Sequence, residues 1–359
     1  MPVLVAVDAV PGPAFVDELR RIWDQGDAIL PVDPRLPAPA RARLLEAMRP
    51  GEEVQEGDAL VVATSGTTGA PRGVVLTHFA LYAATVAVHR RLEVDPRSDG
   101  WLVCLPLSHV GGLMVVIRSL LTATPLTFGT GTDTGVAAGT GATLVSVVPT
   151  LLDRMDTSGF RVVLVGGAPD GRPRSPNVVR TYGLTETAGG VVYDCVPLDG
   201  TEVRADSIGR LHVRGPSVLR CYRDGTDPKD TEGWLPTGDI GEVVDGRVTV
   251  HGRADDLIVT GGENVWPTPV EEVLRCHPAV ADVAVCGRAD EEWGERVVAV
   301  VVPRDPGEPP ALADLRSLVK DRLPAYSAPR ELVLVDALPR TAGGKLRRNA
   351  LRPPAGAQE

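Results

Sequence analysis

The chain has 359 residues, 43% of them hydrophobic and 23% charged, with a formal net charge of −10. That length exceeds one small core and suits two domains, one large and one small. The acidic balance argues against nucleic acid or an anionic membrane as the main partner, since both demand a basic face. No run of 18 apolar residues occurs, and the start "MPVLVAVDAVPGP" carries Asp8 and no basic lead-in. The expectation is therefore a cytoplasmic protein with no membrane span and no secretory leader. Cys104, Cys195, Cys221, Cys276 and Cys286 are dispersed without a CxxC pair, which reads as reduced thiols. The six histidines show no metal-ligand spacing, so a structural zinc is not expected.

In chain order, "DALVVA" (58–63) reads as a buried strand and Val74–Leu76 as a second. Thr77 then caps a helical pattern in "THFALYAATVAVHRRL". Further strands are predicted at 101–107, 142–148 and 160–165, and helices at 113–123 and 150–155. This alternation over the first ~200 residues predicts a layered α/β domain with a largely parallel sheet. From about residue 208 the pattern shifts to short alternating strands, "IGRLHVRG" and "GEVVDGRVTV", with Asp245-Gly246 as a two-residue hairpin turn. Beyond "GRADDLIVTGGEN" (252–264) come a helix (269–276), strands (280–286 and 296–303), a helix (311–322) and a strand (331–335). The expected domains are 1–253, a layered α/β domain with a β-rich subdomain, and 254–359, a small α+β domain.

Between the first two strands lies "TSGTTGAPRG" (64–73). Gly66, Gly69 and Gly73 let backbone amides turn toward an anion. Thr64, Ser65, Thr67 and Thr68 add hydroxyls, and Arg72 adds fixed charge. The set suits a polyphosphate; on composition alone a plain surface turn stays open. A Walker loop is excluded, because no GK[ST] follows and the next element is a strand.

This segment resembles the phosphate loop of the adenylate-forming superfamily, which comprises acyl- and aryl-CoA synthetases, peptide-synthetase adenylation domains and luciferases. Four more motifs follow in that family's order: "YGLTET" (182–187), "PTGD" (236–239), "GRADDLIVTGGENVWP" (252–267) and "PRTAGGKLRR" (339–348). The resemblance runs from about residue 58 to the end. It departs from the family in one respect: only 63 residues precede the loop, so a cut-down N-terminal subdomain is expected.

The resemblance implies acyl adenylation by ATP, followed by thioester formation with coenzyme A. Charge neutralisation and positioning dominate such chemistry. It implies that residues 64–73 hold the β- and γ-phosphates, that Thr185 bonds the α-phosphate, and that Glu186 binds Mg²⁺. Tyr182 and Gly183 would flank adenine, with Gly166, Gly167 and Ala168 of "VGGAP" on the other side. Asp239 would accept the ribose hydroxyls, supported by Arg253. Lys345 would bridge the incoming carboxylate and the α-phosphate, although in isolation it also reads as a solvated lysine. Asp255 would be the hinge of a mobile C-terminal domain, and Gly261 and Gly262 of "GGEN" would line the CoA tunnel after rotation.

For the acid, "LPLSHVGGLMVVIRSLLTA" (105–123) resembles the segment in which a histidine gates the acyl site, here His109; a purely structural histidine is the alternative. Arg118 lies in an otherwise apolar run, and no acidic residue occurs between positions 100 and 132. It either pairs with a distant carboxylate, faces solvent, or receives a second carboxylate of the substrate. The last reading coincides with a resemblance to the o-succinylbenzoate–CoA ligases of menaquinone biosynthesis, carried by the His109–Arg118 spacing and "SVVPTLLDRM" (146–155). The partners implied are then ATP, CoA and a small aromatic dicarboxylate, with a homodimer compatible. Another aryl- or acyl-CoA synthetase, or a stand-alone adenylation enzyme charging a carrier protein, is the alternative.

Overall fold

A computed structural model describes residues 1–65, 71–129, 141–167, 175–340 and 346–351, and the side chains of Ser65 and Asn349 are outside that description. The chain begins with alternating strands and helices: β1 (Leu4–Asp8), α1 (Pro13–Asp24), β2 (Ala28–Val32), α2 (Ala38–Met48) and β3 (Asp58–Ser65). Proline near the start of α1 supplies a pre-set φ where no amide partner is needed. The helix buries Phe15, Val16, Leu19 and Ile22, one face at helical spacing. Each such side chain contributes about 1.5–3 kcal/mol on burial. The Trp23 indole donates to the Ala59 carbonyl at 2.9 Å, fastening the helix to β3.

β1, β2 and β3 pair in parallel. β3 then turns back through an antiparallel hairpin into β4 (Pro71–Thr77), with Thr64 opposite Arg72. The short strand Cys221–Tyr222 adds antiparallel to β4. Helix α3 (His78–Leu92) follows at once, capped as expected by the Thr77 hydroxyl accepting from the Ala80 amide at 3.1 Å.

A second sheet has the strand order 196–197, 189–193, 178–184, 162–165, 144–147, 101–103, 126–128. It is parallel from 178–184 through to 126–128 and antiparallel at the other edge. In place of the single largely parallel sheet expected, there are two mixed sheets. One apolar cluster runs from Leu60 and Leu76 of the first sheet to Val103 and Leu164 of the second. It passes through Leu81 and Val88 of α3 and Leu113 and Ile117 of α4 (Val110–Thr122). The helices are the filling between the sheets, which is why α4 is apolar nearly all round.

A third, antiparallel sheet holds Glu202–Ala205, Arg210–Arg214, Leu235–Val244 and Arg247–Arg253. Its last hairpin turns at Asp245 (φ 49°) and Gly246 (φ 74°), the two left-handed residues of the turn read from the sequence. The C-terminal sheet is built from Ile258–Thr260, Glu263–Val265, Val280–Asp290, Gly294–Pro303 and Glu331–Leu334. Helices Pro267–Leu274 and Leu312–Lys320 complete this unit. It encloses its own core, from Ile258 through Val283 and Val301 to Val319. No helix among the described residues is long and apolar enough to cross a membrane.

Candidate active site

Tyr182 lies on the strand Val178–Leu184 of the second sheet and Asp239 on Leu235–Val244 of the third. The Tyr182 hydroxyl donates to Oδ2 of Asp239 at 2.8 Å. Arg253, directly opposite Asp239 in the register, approaches Oδ1 at 3.3 Å and donates to the Thr237 carbonyl at 2.9 Å. Gly238 has φ 73°, and a Cβ there would lie 2.8 Å from the Arg253 guanidinium. The glycine of "PTGD" is thus required both by conformation and by the arginine packed against it. Asp239 is buried, and burial followed by the Asp239 charge pushes the Tyr182 phenol well above its ordinary pKa. Tyr182 therefore stays a protonated donor.

The strand carrying Tyr182 ends in a tight 3₁₀ turn, Thr185–Thr187, closed by the Leu184 amide donating to the Thr187 hydroxyl at 2.9 Å. The returning chain passes so close that a Cβ on Gly183 would fall 1.9 Å from the Gly189 carbonyl oxygen. This turn presents Glu186. Its Oε1 accepts from the Tyr222 hydroxyl at 3.1 Å, and the Tyr222 ring carries the Arg72 guanidinium 3.6 Å from its centroid. Arg72 at the base of the β3–β4 hairpin and Glu186 are thus brought to the ring face and the hydroxyl of one aromatic side chain. Gly166, whose notional Cβ would meet the Thr181 hydroxyl at 2.5 Å, adjoins the same strand, and Gly167 (φ 85°) follows it, facing Val148. Thr64 accompanies Arg72 at the hairpin base, its hydroxyl donating to the Arg72 carbonyl at 3.2 Å. Gly66, Thr67, Thr68, Gly69, Ala168 and Lys345 lie outside the described residues.

Glu186 is half-buried, with one oxygen on Tyr222 and the other unengaged among the described residues. No cluster of three or more His, Cys, Asp or Glu side chains suited to a metal occurs among the described residues. One hard carboxylate joined through Tyr222 to the Arg72 cation fits Mg²⁺, which takes few protein ligands and completes its shell with phosphate and water.

Arg118 is 4% exposed at the centre of α4. Its Nε has no hydrogen-bond partner, and no carboxylate pairs with it among the described residues. The guanidinium lies 5.6 Å from the Trp101 ring centroid, and a Cβ on Gly189 would be 3.8 Å from its Nη2. Burial pushes its pKa down, yet a guanidinium remains charged. Its burial rules out the solvated face left open by the sequence, and no distant carboxylate meets it among the described residues. Burying a cation without a paired anion is costly.

His109 is the residue before α4, and its side chain is exposed. Surrounding chain pushes its pKa down, opposed by Asp33 and reinforced by Arg35. Asp33, in the loop after β2, accepts from Arg35 Nε at 2.9 Å and Nη2 at 2.8 Å. The sequence reading passed over this pair, which carries no motif. Asp255 sits in the turn Ala254–Asp256, immediately after Arg253. Gly261 (φ 60°) packs on the Trp293 ring, where a Cβ would come within 2.6 Å; Gly262 (φ 81°) is open. Both belong to the hairpin turn of the C-terminal sheet, and their described neighbours belong to that sheet and not to the Tyr182–Asp239 cluster. Tyr222 was also missed, since one tyrosine in "RCYRDG" has no spacing that marks it.

The sequence model described as AMP-binding enzyme matches residues 7–223, and that described as AMP-binding enzyme C-terminal domain matches residues 269–345. The chain belongs to the AMP-binding enzyme family. A probable 2-succinylbenzoate–CoA ligase of Mycobacterium tuberculosis (strain ATCC 25618 / H37Rv) is 42% identical over 337 residues, covering 86% of this chain and 87% of the relative. The 2-succinylbenzoate–CoA ligase of Bacillus cytotoxicus is 34% identical over 347 residues, 84% of this chain and 71% of the relative. The solved o-succinylbenzoate coenzyme A synthetase from Bacillus subtilis, in complex with ATP and magnesium ion, superposes with a TM-score of 0.85 at 26% identity, covering 97% of this chain and 89% of that one.

Proposed function

We propose that this protein is an ATP-dependent acid–CoA ligase acting on 2-succinylbenzoate. It forms the acyl-adenylate with release of diphosphate, then 2-succinylbenzoyl-CoA and AMP, in menaquinone biosynthesis. The relatives it resembles carry that name over most of its length. The observation that carries the substrate choice is Arg118, buried and with no carboxylate partner among the described residues. A fatty acid has no second anion to offer it, whereas an aromatic dicarboxylate does, and a guanidinium matches a carboxylate bidentately.

The roles proposed combine the family resemblance with the Tyr182–Asp239–Arg253 and Arg72–Tyr222–Glu186 contacts. Asp239, oriented by Tyr182 and Arg253, accepts the ribose hydroxyls; Tyr182 and Gly183 on one side and Gly166, Gly167 and Ala168 on the other hold adenine. The hairpin residues Thr64–Gly69 with Arg72 hold the outer phosphates, and Thr185 meets the α-phosphate. Glu186 holds Mg²⁺, which when bound neutralises phosphate charge. Lys345 brings the carboxylate and the α-phosphate together, two anions that otherwise repel. His109, at the mouth of the α4 segment, gates the acid. Rotation about Asp255 of a C-terminal domain, 254–359, carries Lys345 away and brings Gly261 and Gly262 to the pantetheine path. We place the enzyme in the cytoplasm, where ATP and CoA are supplied.

The test is a panel of acids with ATP, Mg²⁺ and CoA: 2-succinylbenzoate, benzoate, a medium-chain fatty acid and an α-amino acid. Diphosphate release and thioester formation are expected with 2-succinylbenzoate at far higher kcat/KM than with the others. Turnover of a monocarboxylate at equal efficiency sinks the substrate assignment.

A further inference from the structure

We propose that Tyr222 is a positioning residue for Glu186, holding one carboxylate oxygen so that the other faces the metal, while its ring serves as the platform for Arg72. This rests on the reading of Glu186 as the Mg²⁺ ligand and adds to it a residue from a segment outside the five motifs.

The geometry is that of a strut fixed at both ends. The Tyr222 hydroxyl meets Glu186 Oε1 at 3.1 Å, and its ring lies under the Arg72 guanidinium at 3.6 Å. A carboxylate rotates freely unless an oxygen is engaged, and a phenol donating to one oxygen selects a single rotamer. A guanidinium over an aromatic face keeps its N–H groups in the ring-parallel plane, available to an anion, while its apolar face is satisfied. One side chain therefore sets both the cation of the phosphate hairpin and the anion that binds the metal.

The strut is itself held on every side. Its strand pairs with β4 at Tyr222↔Val74, and the Arg223 amide donates to the Gly73 carbonyl at 2.7 Å. The Leu219 amide donates to the Glu186 carbonyl at 2.7 Å, tying the same segment to the turn that presents the carboxylate. Arg220 makes two 2.7 Å bonds to Asp58, which is 1% exposed on β3. Such a bidentate buried pair resists displacement, because breaking it strands a buried charge. Tyr222 is 8% exposed, so its hydroxyl has Glu186 rather than bulk water as partner.

The experiment measures equilibrium ATP binding by calorimetry across a Mg²⁺ titration and in chelator, for the wild type, Tyr222→Phe and Glu186→Gln. The hydroxyl is one hydrogen bond to a charged group, so Tyr222→Phe should raise the half-saturating Mg²⁺ concentration about ten- to a hundred-fold. Metal-free ATP affinity and the thermal midpoint should stay unchanged, since the ring under Arg72 remains. Glu186→Gln should lose the Mg²⁺ dependence altogether. If Tyr222→Phe superposes on the wild type while Glu186→Gln does not, the strut is overturned and the metal reading stands. If both superpose on the wild type, the metal reading falls and takes the strut with it. If Tyr222→Phe loses metal-free affinity and thermal stability together, the residue is merely structural and the proposal fails.

Discussion

Tyr182 and Asp239 face each other across two different sheets, joined by a 2.8 Å hydrogen bond, with Arg253 steadying the far carboxylate oxygen at 3.3 Å. The pair is what makes "YGLTET" and "PTGD", more than 50 residues apart in the chain, parts of one site. Removing only the hydroxyl, as in Tyr182→Phe, should weaken ATP binding by about two- to ten-fold, the usual worth of one such bond. Asp239→Ala should weaken it by a hundred-fold or more, since it also strands the Arg253 charge and the Tyr182 donor. Direct ATP titration checks both, and equal losses in the two variants would contradict the assigned division of labour.

Arg118 sets function against stability. Its buried guanidinium meets no carboxylate among the described residues, so the free protein carries its desolvation cost, which in the proposed role the second carboxylate of the substrate offsets. Arg118→Met should therefore stabilise the unliganded protein by on the order of 1 kcal/mol or more, while costing about 3–5 kcal/mol in dicarboxylate recognition. That loss corresponds to a rise in KM of at least about a hundred-fold, with the KM for ATP nearly unmoved. Thermal melts and steady-state kinetics measure the two halves independently. A less stable variant with an unchanged dicarboxylate KM would remove the substrate role from Arg118.

Much of this was legible in the sequence because the site's parts announce themselves locally. Glycines needed at Gly183 and Gly238, the Thr77 cap and the Asp245-Gly246 turn each answer a constraint within a few residues. The C-terminal elements also stand near their predicted positions, with the helix read at 269–276 found at Pro267–Leu274. What was not legible depends on contacts far apart in sequence. That β3 turns into β4 and leaves the parallel set, dividing the strands between two sheets, follows from how α3 and α4 fill the space between them. Residues 1–57 carry no motif, so their β-α-β-α run and the Asp33–Arg35 pair near His109 went unread. Tyr222 and Glu186 are separated by 36 positions and meet only in the fold.

His89 makes stability fall on the acid side of neutrality. Its Nε2 accepts from the Trp101 indole at 3.4 Å, so the ring is neutral at that nitrogen. Burial, reinforced by Arg118 against Asp99, pushes its pKa to about 4 from an ordinary 6.5. Between those values the unfolded chain binds a proton that the folded chain refuses. Stability is therefore intact above about pH 6.5 and is lost as the pH falls toward 4. The loss from this group between pH 7 and pH 5 is at most about 2 kcal/mol. His78, shifted in the same direction by burial, adds to it. Thermal midpoints from pH 7.5 to 5 should decline more steeply for the wild type than for His89→Gln. Parallel declines would exclude His89 as a source of the slope.

The two half-reactions make opposite demands on the C-terminal unit, and single substitutions should separate them. In its proposed role Lys345 acts only while two anions are being joined, so Lys345→Ala should abolish diphosphate release yet largely spare thioester formation from a supplied acyl-adenylate. Asp255 lies in the turn Ala254–Asp256, which follows Arg253 directly and where a change in backbone angle would swing all that follows. Asp255→Pro fixes φ at that turn and should impair one half-reaction several-fold more than the other. Single-turnover assays of each step, with [³²P]diphosphate release for the first and CoA consumption for the second, resolve the pair. Full adenylation by Lys345→Ala would defeat the lysine assignment. Equal loss of both steps in Asp255→Pro would mean that the turn supports the fold without serving as the pivot.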